Sequence, residues 1–478
     1  MLSHSLKYSC ILLVLLLGSC KVSTVTTQHS FVKLPETFTG SSDTTSIGDI
    51  AWKDFFTDPL LIKLIDTALH NNPDLNIARQ RIEFVRASFQ LSRGALLPSL
   101  NVVASAGVDK YGDYTMNGVG NYDTNLSGNI DGKKKIPNPT PDYFLGLRSS
   151  WEIDLWGKLR NQKKAAYNRF LASQKGRQAI VTALVAQVSQ FYYDLLRLDN
   201  ELEIIRKNIG LQEKAVETIT AQKMGGRATE LAVQQSTAQL LHTRSLEGRV
   251  QQEIVIIENQ LNLLLGGFPQ PIERSNPILQ QTLTTVVKSG IPAHMLRHRP
   301  DIRQAELELE ATKADVTAMR AAFLPSLTIS PYAGFNAFNA SVLFNPASIA
   351  YGVLGGLTGP LFSRNLLKSN YKQSQAVNQE AFYTYYKTIL NGYQEVVTSM
   401  KGIENLQKVY DYRKQEVDVL QNAVSTSNDL YVTGYASYLE VITAQRSVLE
   451  AELELATVKR DQFFSLIDLY RSLGGGWQ

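Results

Sequence analysis

Cysteine and histidine are the side chains with the widest chemical range, and both are scarce in this chain. It contains two cysteines, Cys10 and Cys20, and six histidines. Two cysteines this close to the start exclude a disulfide scaffold and a cysteine-rich zinc or iron–sulfur site. His294 and His298 form a cluster that would share one helix face and could bind a metal. Because they precede Pro300, which opens a helix, we favour a linker here and expect no metal site.

Other catalytic patterns are missing from the sequence. The remaining histidines stand alone, and paired acidic residues recur at a helical spacing typical of solvated helix faces. There is no glycine-rich phosphate loop and no nucleophile elbow. We therefore expect a protein that is not an enzyme and that needs no cofactor. Since ATP-binding motifs are also missing, any transport energy must come from a partner.

The composition excludes further classes of protein. Of the 478 residues, 44% are hydrophobic and 19% are charged, so the chain is neither a disordered polymer nor a stack of lipid-buried helices. The net charge is +4, and no arginine-rich stripe accompanies it. Nucleic acid is therefore not an expected partner.

The first twenty residues have the pattern of an export signal. Lys7 precedes an apolar run at 11–17 that is too short to cross a bilayer. The order Leu17-Gly18-Ser19-Cys20 resembles a bacterial lipobox, in which the cysteine is lipidated and becomes the new N-terminus. We favour lipidation of Cys20 over an ordinary secreted protein with an incidental cysteine. Later apolar runs are shorter than a membrane helix requires, so any spanning part must be β-structure.

The rest of the chain is an internal duplication. Residues 72–102 and 299–329 align without a gap, and eleven of the 31 positions are identical. A second pair of matching segments surrounds Gly226 and Gly434. Duplication at this spacing predicts two units of about 200 residues each.

Each unit begins with a helix and a hairpin. Pro-Asp pairs place an acidic residue at the positive end of a helix, which predicts helices at 74–96 and 301–323. Alternating β-favouring residues then predict two hairpins. The four strands are expected at 100–108, 143–151, 327–335 and 350–362. The polar segment 111–142 between the first two strands is expected to be an exposed loop without an apolar face.

Long helices complete each unit. Apolar residues recur every seven positions in the proline-free stretches 142–268 and 361–478, which predicts helices packed side by side. Gly225-Gly226 and Gly434 break these helices, and new helices are expected over 228–265 and 436–473. The first long helix is predicted to run from Lys158 to Met224.

The predicted strands require more than one chain. Four strands of about nine residues can cross a bilayer at a tilt, but a membrane barrel needs at least eight strands to close. A single chain would leave unpaired strand edges in lipid. We therefore expect a homo-oligomer.

Several motifs resemble the TolC-like outer-membrane efflux protein family, in particular its lipoprotein branch, which serves as the outer-membrane channel of RND-type tripartite efflux systems. The matching segments are Leu296–Glu306 (LRHRPDIRQAE), the two LPSL segments ending at Leu100 and Leu327, Trp151–Gly157 (WEIDLWG), Gly359–Phe362 (GPLF), and Tyr431–Gly434 (YVTG) with the following Leu439 and Ala444-Gln445. They are spread over most of the mature chain.

The resemblance implies a mainly α fold with a membrane β portion, built from a duplicated unit of long coiled-coil helices and β-hairpins. It implies a homotrimer with a 12-stranded β-barrel continuous with a periplasmic α-helical barrel. The implied location is the cell outer membrane, with a lipid anchor and a large periplasmic part. The alternative is a periplasmic coiled-coil adaptor or structural lipoprotein.

The implied function is an exit duct. It would passively conduct substrates expelled by an inner-membrane RND-type transporter through a periplasmic adaptor, and both proteins and the outer-membrane lipid are implied partners. Tyr431 and Glu440 match residues of the family's periplasmic aperture, whereas Ala436 and Ala232 stand where its latch has an arginine and an aspartate. The expected adaptor-contact residues lie at the helix turns: Lys223, Gly226, Arg227, Gly434 and Tyr435.

The expected division of the chain has five parts. They are a signal peptide at 1–19, a lipidated linker at 20–57, a first repeat at 58–267, an equatorial inter-repeat linker at 268–299 and a second repeat at 300–478. Each repeat contains a helix, a β-hairpin, a long helix and a further helix.

Overall fold

A computed structural model describes residues 35–38, 45–282 and 289–478. The predicted signal peptide and Cys20 lie outside the described residues. The helices are α1 (Trp52–Phe55), α2 (Pro59–Asn71), α3 (Pro73–Gly94), α4 (Met116–Leu126), α5 (Lys158–Met224), α6 (Glu230–Leu264), α7 (Pro292–His298), α8 (Pro300–Ala321), α9 (Leu366–Val432) and α10 (Tyr438–Ser472). The strands are β1 (Ser99–Asp109), β2 (Thr140–Ile153), β3 (Ser326–Ala337) and β4 (Ile349–Thr358).

The four strands form one antiparallel sheet in the order β1-β2-β3-β4. Its register joins Val102 to Leu147, Leu147 to Ala333 and Ala333 to Tyr351. The two predicted hairpins are therefore confirmed. β4 ends before the predicted position because Pro360 has no amide hydrogen for a strand ladder.

The chain divides into two compact units by its contacts. The first consists mainly of Val85–Arg169 and Leu309–Ala381 and contains the sheet. Its small core includes Ala165, Ala311 and Ala314, where short side chains let two helices approach closely. The Arg169 guanidinium also donates to the Asp315 carboxylate in this unit.

The second unit contains the main hydrophobic core. Described parts of Val32–Phe84, Phe170–Glu308 and Phe382–Gln478 contribute to it. Fully buried side chains of this core include Leu61, Ile65, Val188, Tyr192, Leu195, Ile467 and Leu469. The sevenfold positions of both long helices are buried or partly buried along their length, as the heptad pattern predicts.

The two long helices are equal in length. α5 occupies the predicted residues, and both α5 and α9 contain 67 residues. An 18-residue window of α5 is long and apolar enough to be considered as a membrane span, but 56% of it is buried inside the chain. That burial is typical of the core helix of a folded protein.

Repeat-related contacts close each half of the second unit. The Asn72 amide donates to the Leu264 carbonyl at 3.0 Å, and the Arg299 guanidinium donates to the Ser472 carbonyl at the same distance. Asn71, which precedes Asn72, packs against Gly266, and His298, which precedes Arg299, packs against Gly474. Both glycines have a positive φ. The same connection therefore joins the start and the end of both halves with two different side chains.

Four helices of the described residues, α1, α2, α4 and α7, lie outside the predicted ones. α2 begins with the Asp58 side chain accepting from the Leu60 amide, and α7 begins with a proline at its first position. α4 lies within 111–142, and it exposes apolar side chains such as Met116 and Tyr122. The expectation of a loop without an apolar face was therefore wrong there. Thr115 caps a helix whose glycines and asparagines are typical of loops, so the sequence did not predict it.

Candidate functional site at the two helix turns

Two glycine turns end the long helices in the same way. After α5, the Gly226 amide donates to the Lys223 carbonyl and the Arg227 amide donates to the Gln222 carbonyl, at 2.9 and 2.8 Å. After α9, the Gly434 amide donates to the Tyr431 carbonyl at 3.1 Å and the Tyr435 amide to the Leu430 carbonyl at 2.8 Å. Both are Schellman motifs, which require a left-handed residue. Gly226 and Gly434 supply it with φ angles of 70° and 82°.

The next helices begin with different caps. The Thr229 hydroxyl accepts from the Ala232 amide at 3.2 Å, which is an ordinary N-cap. Ser437 occupies the same position before α10, and its hydroxyl donates to the Glu440 carboxylate. α6 and α10 therefore begin two residues after the predicted positions, since a cap residue lies outside the helix.

Glu440 is exposed in the first turn of α10. The hydrogen bond from Ser437 lowers the pKa of the Glu440 carboxyl below its usual value, and the backbone hydrogen bonds add to this effect. The group is consequently a carboxylate at neutral pH. Its position near the turn is compatible with the predicted aperture role, which stays a prediction.

Tyrosines connect the two halves beside the turns. The Tyr431 hydroxyl donates to the side-chain oxygen of Gln222, which joins α9 to α5. The rings of Tyr431 and Tyr438 meet edge to face, with centroids 5.4 Å apart. Burial raises the pKa of Tyr438, and a hydrogen bond with Ser236 of α6 opposes that shift. Gln222 and Ser236 are partners that the sequence did not identify, because they lie about 200 residues from the tyrosines.

The charged residues of the first turn differ in their contacts. Lys223 forms an ion pair with Glu230 across the turn, and this pair lowers the pKa of the Glu230 carboxyl. Arg227 is exposed, and within the described part of the chain it forms no ion pair. Of the two cations predicted to contact a partner, Arg227 is therefore the one whose charge is available.

The turns expose large apolar side chains. Met224, Val432 and Tyr435 are 86%, 83% and 85% exposed, and Leu231 and Leu439 are more than half exposed. Exposed apolar patches often mark sites of interaction with another protein. The exposed apolar side chains and the Arg227 guanidinium are therefore compatible with the predicted adaptor contact, which stays a prediction.

Arg299 is an organising residue whose role the sequence did not reveal. The residue is 5% exposed, and its guanidinium donates to both carboxylate oxygens of Asp301 and, at 2.7 Å, to Glu395. Burial favours a lower pKa for Arg299, but the hydrogen bonds to Asp301 and the charges of both acids outweigh it and raise the pKa. The Arg-Pro-Asp motif thus joins the start of α8 to α9 and to the end of α10.

The histidine pair lies on a helix rather than in an irregular linker. α7 places His294 and His298 on one face with their rings 4.0 Å apart, and Asp49 faces both. Burial lowers the pKa of His298, and the neighbouring His294 adds to this shift.

Comparison with known proteins places the chain in a family. Residues 64–267 and 291–475 match the family model described as outer membrane efflux protein. The chain is 30% identical over 427 residues to the solvent efflux pump outer membrane protein SrpC of Pseudomonas putida. The aligned residues make up 89% of this chain and 87% of SrpC. It is 28% identical to the probable outer membrane lipoprotein SilC of Salmonella typhimurium, with 99% of each chain covered.

The fold agrees with a solved channel. The open state of the MtrE outer membrane channel of Neisseria gonorrhoeae superposes with a TM-score of 0.81 at 25% identity, covering 94% of this chain and 98% of MtrE. The mostly helical chain therefore has the fold of these channels. It belongs to the outer membrane efflux protein family, as its motifs predicted.

Proposed function

We propose that this protein is the outer-membrane exit duct of a tripartite efflux system. It passively conducts substrates that an inner-membrane RND-type transporter expels through a periplasmic adaptor. The observation that carries the proposal is a membrane-type sheet with two open edges in a chain of the outer membrane efflux protein family. SrpC is named as an efflux pump outer membrane protein and MtrE as an outer membrane channel, which does not favour the alternative of an adaptor or structural lipoprotein.

The sheet supports a position in the bilayer. Its register collects apolar residues on one face: Leu100, Val102, Val108, Leu145, Leu147, Trp151, Ile329, Phe335, Tyr351, Val353 and Leu357. Val102 is 76% exposed and Tyr351 is 81% exposed in the single chain. The opposite face carries mainly small and polar residues such as Ser105, Arg148 and Asn336, with a Phe144–Tyr332 aromatic contact among them. One apolar and one polar face are typical of strands between lipid and an aqueous channel.

The open edges support an oligomer, and the family resemblance implies that it is a trimer. Within the described residues of one chain, β1 and β4 each pair with a single neighbour. Lipid does not tolerate unpaired strand edges, so β4 of one copy pairs with β1 of the next. In our proposal three copies close a 12-stranded barrel continuous with a periplasmic α-helical barrel, as the family resemblance implies.

The division of the chain is part of the proposal. A signal peptide at 1–19 is removed, and Cys20 is lipidated at the head of a linker that extends to residue 57. The repeats occupy 58–267 and 300–478, and 268–299 connects them in the equatorial region. The name of SilC as an outer membrane lipoprotein supports an anchor at Cys20. A duct of this kind catalyses no reaction and needs no cofactor.

The turns form the periplasmic end in this proposal. Tyr431 and Glu440 take part in the aperture, and the turn residues Lys223, Gly226, Arg227, Gly434 and Tyr435 form the adaptor-contact region. Gly226 and Gly434 act through the shape of the turns, whereas Arg227 and Tyr435 present side chains to the adaptor. Lys223 acts within the turn by holding Glu230.

Crosslinking in living cells tests this orientation. A photo-crosslinking amino acid at Tyr435 is preferable to one at Gly434, because φ at Gly434 is 82° and a side chain there would strain the turn. We expect the Tyr435 variant to capture a periplasmic adaptor. A matched variant at the exposed Tyr122 of α4, proposed to lie at the cell surface, should not. Capture of only outer-membrane or peptidoglycan-binding proteins from Tyr435 would contradict the orientation.

A further inference from the structure

We propose that Asp49, His294 and His298 form a binding site for a divalent transition-metal cation such as Zn²⁺ or Co²⁺. The site is independent of the efflux function and revises our expectation that the histidine pair binds no metal. It rests on three ligand groups that the fold brings together from segments more than 200 residues apart.

The ligand atoms are close to a coordinating arrangement. Asp49 Oδ1 lies 3.4 Å from His298 Nδ1, and Asp49 Oδ2 lies 3.9 Å from His294 Nε2. One ligand atom from each residue lies within 4.8 Å of the other two. Ligands about 2.1 Å from a tetrahedral metal are about 3.4 Å apart, so one distance already fits. The rings lie nearly parallel, with an interplanar angle of 16°, so both must turn about their side-chain bonds to direct their lone pairs at one metal ion.

Asp49 is fixed on both sides. An antiparallel bridge joins Ser46 to Ser289, and the Ser46 hydroxyl accepts from the Gly48 amide at 3.1 Å. On the other side, the hydroxyl of Tyr470, which is 2% exposed, donates to the Ile50 carbonyl at 2.6 Å. The carboxylate is therefore presented by a short segment whose backbone cannot move freely.

The two histidines are fixed by α7. Their spacing of four residues places both rings on one face of the helix. Met295, next to His294 and 1% exposed, anchors the helix in the main core. The Trp477 indole donates to the His298 carbonyl at 3.3 Å, and the end of the helix packs on Gly474. Ligands held by separate, packed elements are a requirement of a preorganised metal site.

The three side chains are chemically suited to a dication. Two imidazoles supply nitrogen donors and Asp49 supplies a negatively charged oxygen donor. A divalent metal accepts both imidazole lone pairs and is compensated by the carboxylate. Imidazole ligands favour Zn²⁺, Co²⁺, Ni²⁺ or Cu²⁺ over Mg²⁺ and Ca²⁺.

Metal binding to the purified full-length protein tests the proposal. The protein is prepared in detergent without a histidine tag, and Co²⁺ and Zn²⁺ binding is measured by equilibrium dialysis, with Co²⁺ absorption reporting the ligand set. We expect one metal ion per chain. Asp49→Asn, His294→Ala and His298→Ala should each weaken binding by on the order of tenfold or more, since each removes a ligand.

His242→Ala provides the matched control, because His242 is exposed on α6 and remote in sequence from the cluster. It should bind metal like the unmodified protein. Asp49→Asn preserves the shape of the side chain, so it separates loss of a ligand from loss of folding. Failure to bind one metal per chain, or equal binding by all variants, would overturn the proposal.

Discussion

Arg299 joins three helices through one buried side chain. Its contacts reach Asp301, Glu395 and the Ser472 carbonyl, so its removal leaves two carboxylates and a carbonyl without their shared cation. Asn72 performs the related task in the first half as a neutral amide. Loss of the Arg299 side chain should therefore destabilise the fold more than loss of the Asn72 side chain.

Arg299→Ala should lower the free energy of unfolding by about 3–5 kcal/mol, because breaking a buried ion pair leaves uncompensated charges. Arg299→Lys should cost less, since it retains the charge and loses the two-pronged contact with Asp301. Arg303→Ala is the control, because Arg303 is 40% exposed and pairs with Glu306 on the same helix. That change should cost about 0–1 kcal/mol. Denaturant unfolding of the purified protein measures all three, and equal losses would contradict the role given to Arg299.

Glu440 gives a prediction about selectivity and pH. If three copies line the aperture, Glu440→Gln should reduce the preference for cations in planar bilayers, whereas Glu450→Gln further along α10 should not. A carboxylate is charged above its pKa, and the hydrogen bond from Ser437 lowers that pKa. Cation preference should therefore persist as the pH falls through the usual glutamate range. In Ser437→Ala the cation preference should be lost at a higher pH than in the unmodified protein. The same pH dependence in both proteins would contradict a place for the Glu440 carboxylate in the aperture.

At the scale of elements, local signals determined what could be predicted. Pro-Asp pairs, heptads and glycine turns act within one helix, so α5 was predicted to the residue and the strands to within a few residues. α7 lacked such a signal, because it is short and is held by Met295 in the core. The contacts of Tyr431 with Gln222 and of Asp49 with His298 depend on tertiary packing, and no sequence spacing reveals them.

The glycines of the first turn offer a matched pair of substitutions. Gly226→Ala forces a side chain into a φ of 70°, which should cost roughly 1–2 kcal/mol. Gly225→Ala meets only ordinary contacts, the nearest at 3.6 Å, and should be neutral or stabilising. Hydrogen exchange at the Arg227 amide, which donates to Gln222, reports the opening of the turn. Faster exchange in both variants, or in neither, would contradict the need for a left-handed residue at this position.

At the scale of the whole molecule, duplication explains why one chain contains each kind of long helix and hairpin twice. Each repeat contributes one hairpin, one 67-residue helix and one 35-residue helix. Within the described residues of one chain both outer strands have an open edge, and one face of the sheet exposes apolar side chains. In the proposed trimer, oligomerisation and membrane insertion would together complete the fold.

Conductance of the purified protein in a planar lipid bilayer tests the central claim most directly. The proposed passive duct should produce discrete, ATP-independent conductance steps once trimers insert. Detection of the inserted protein in the same membrane is the necessary control. Inserted protein that gives no conductance under any voltage or salt condition would contradict the proposal that this chain forms an outer-membrane exit duct.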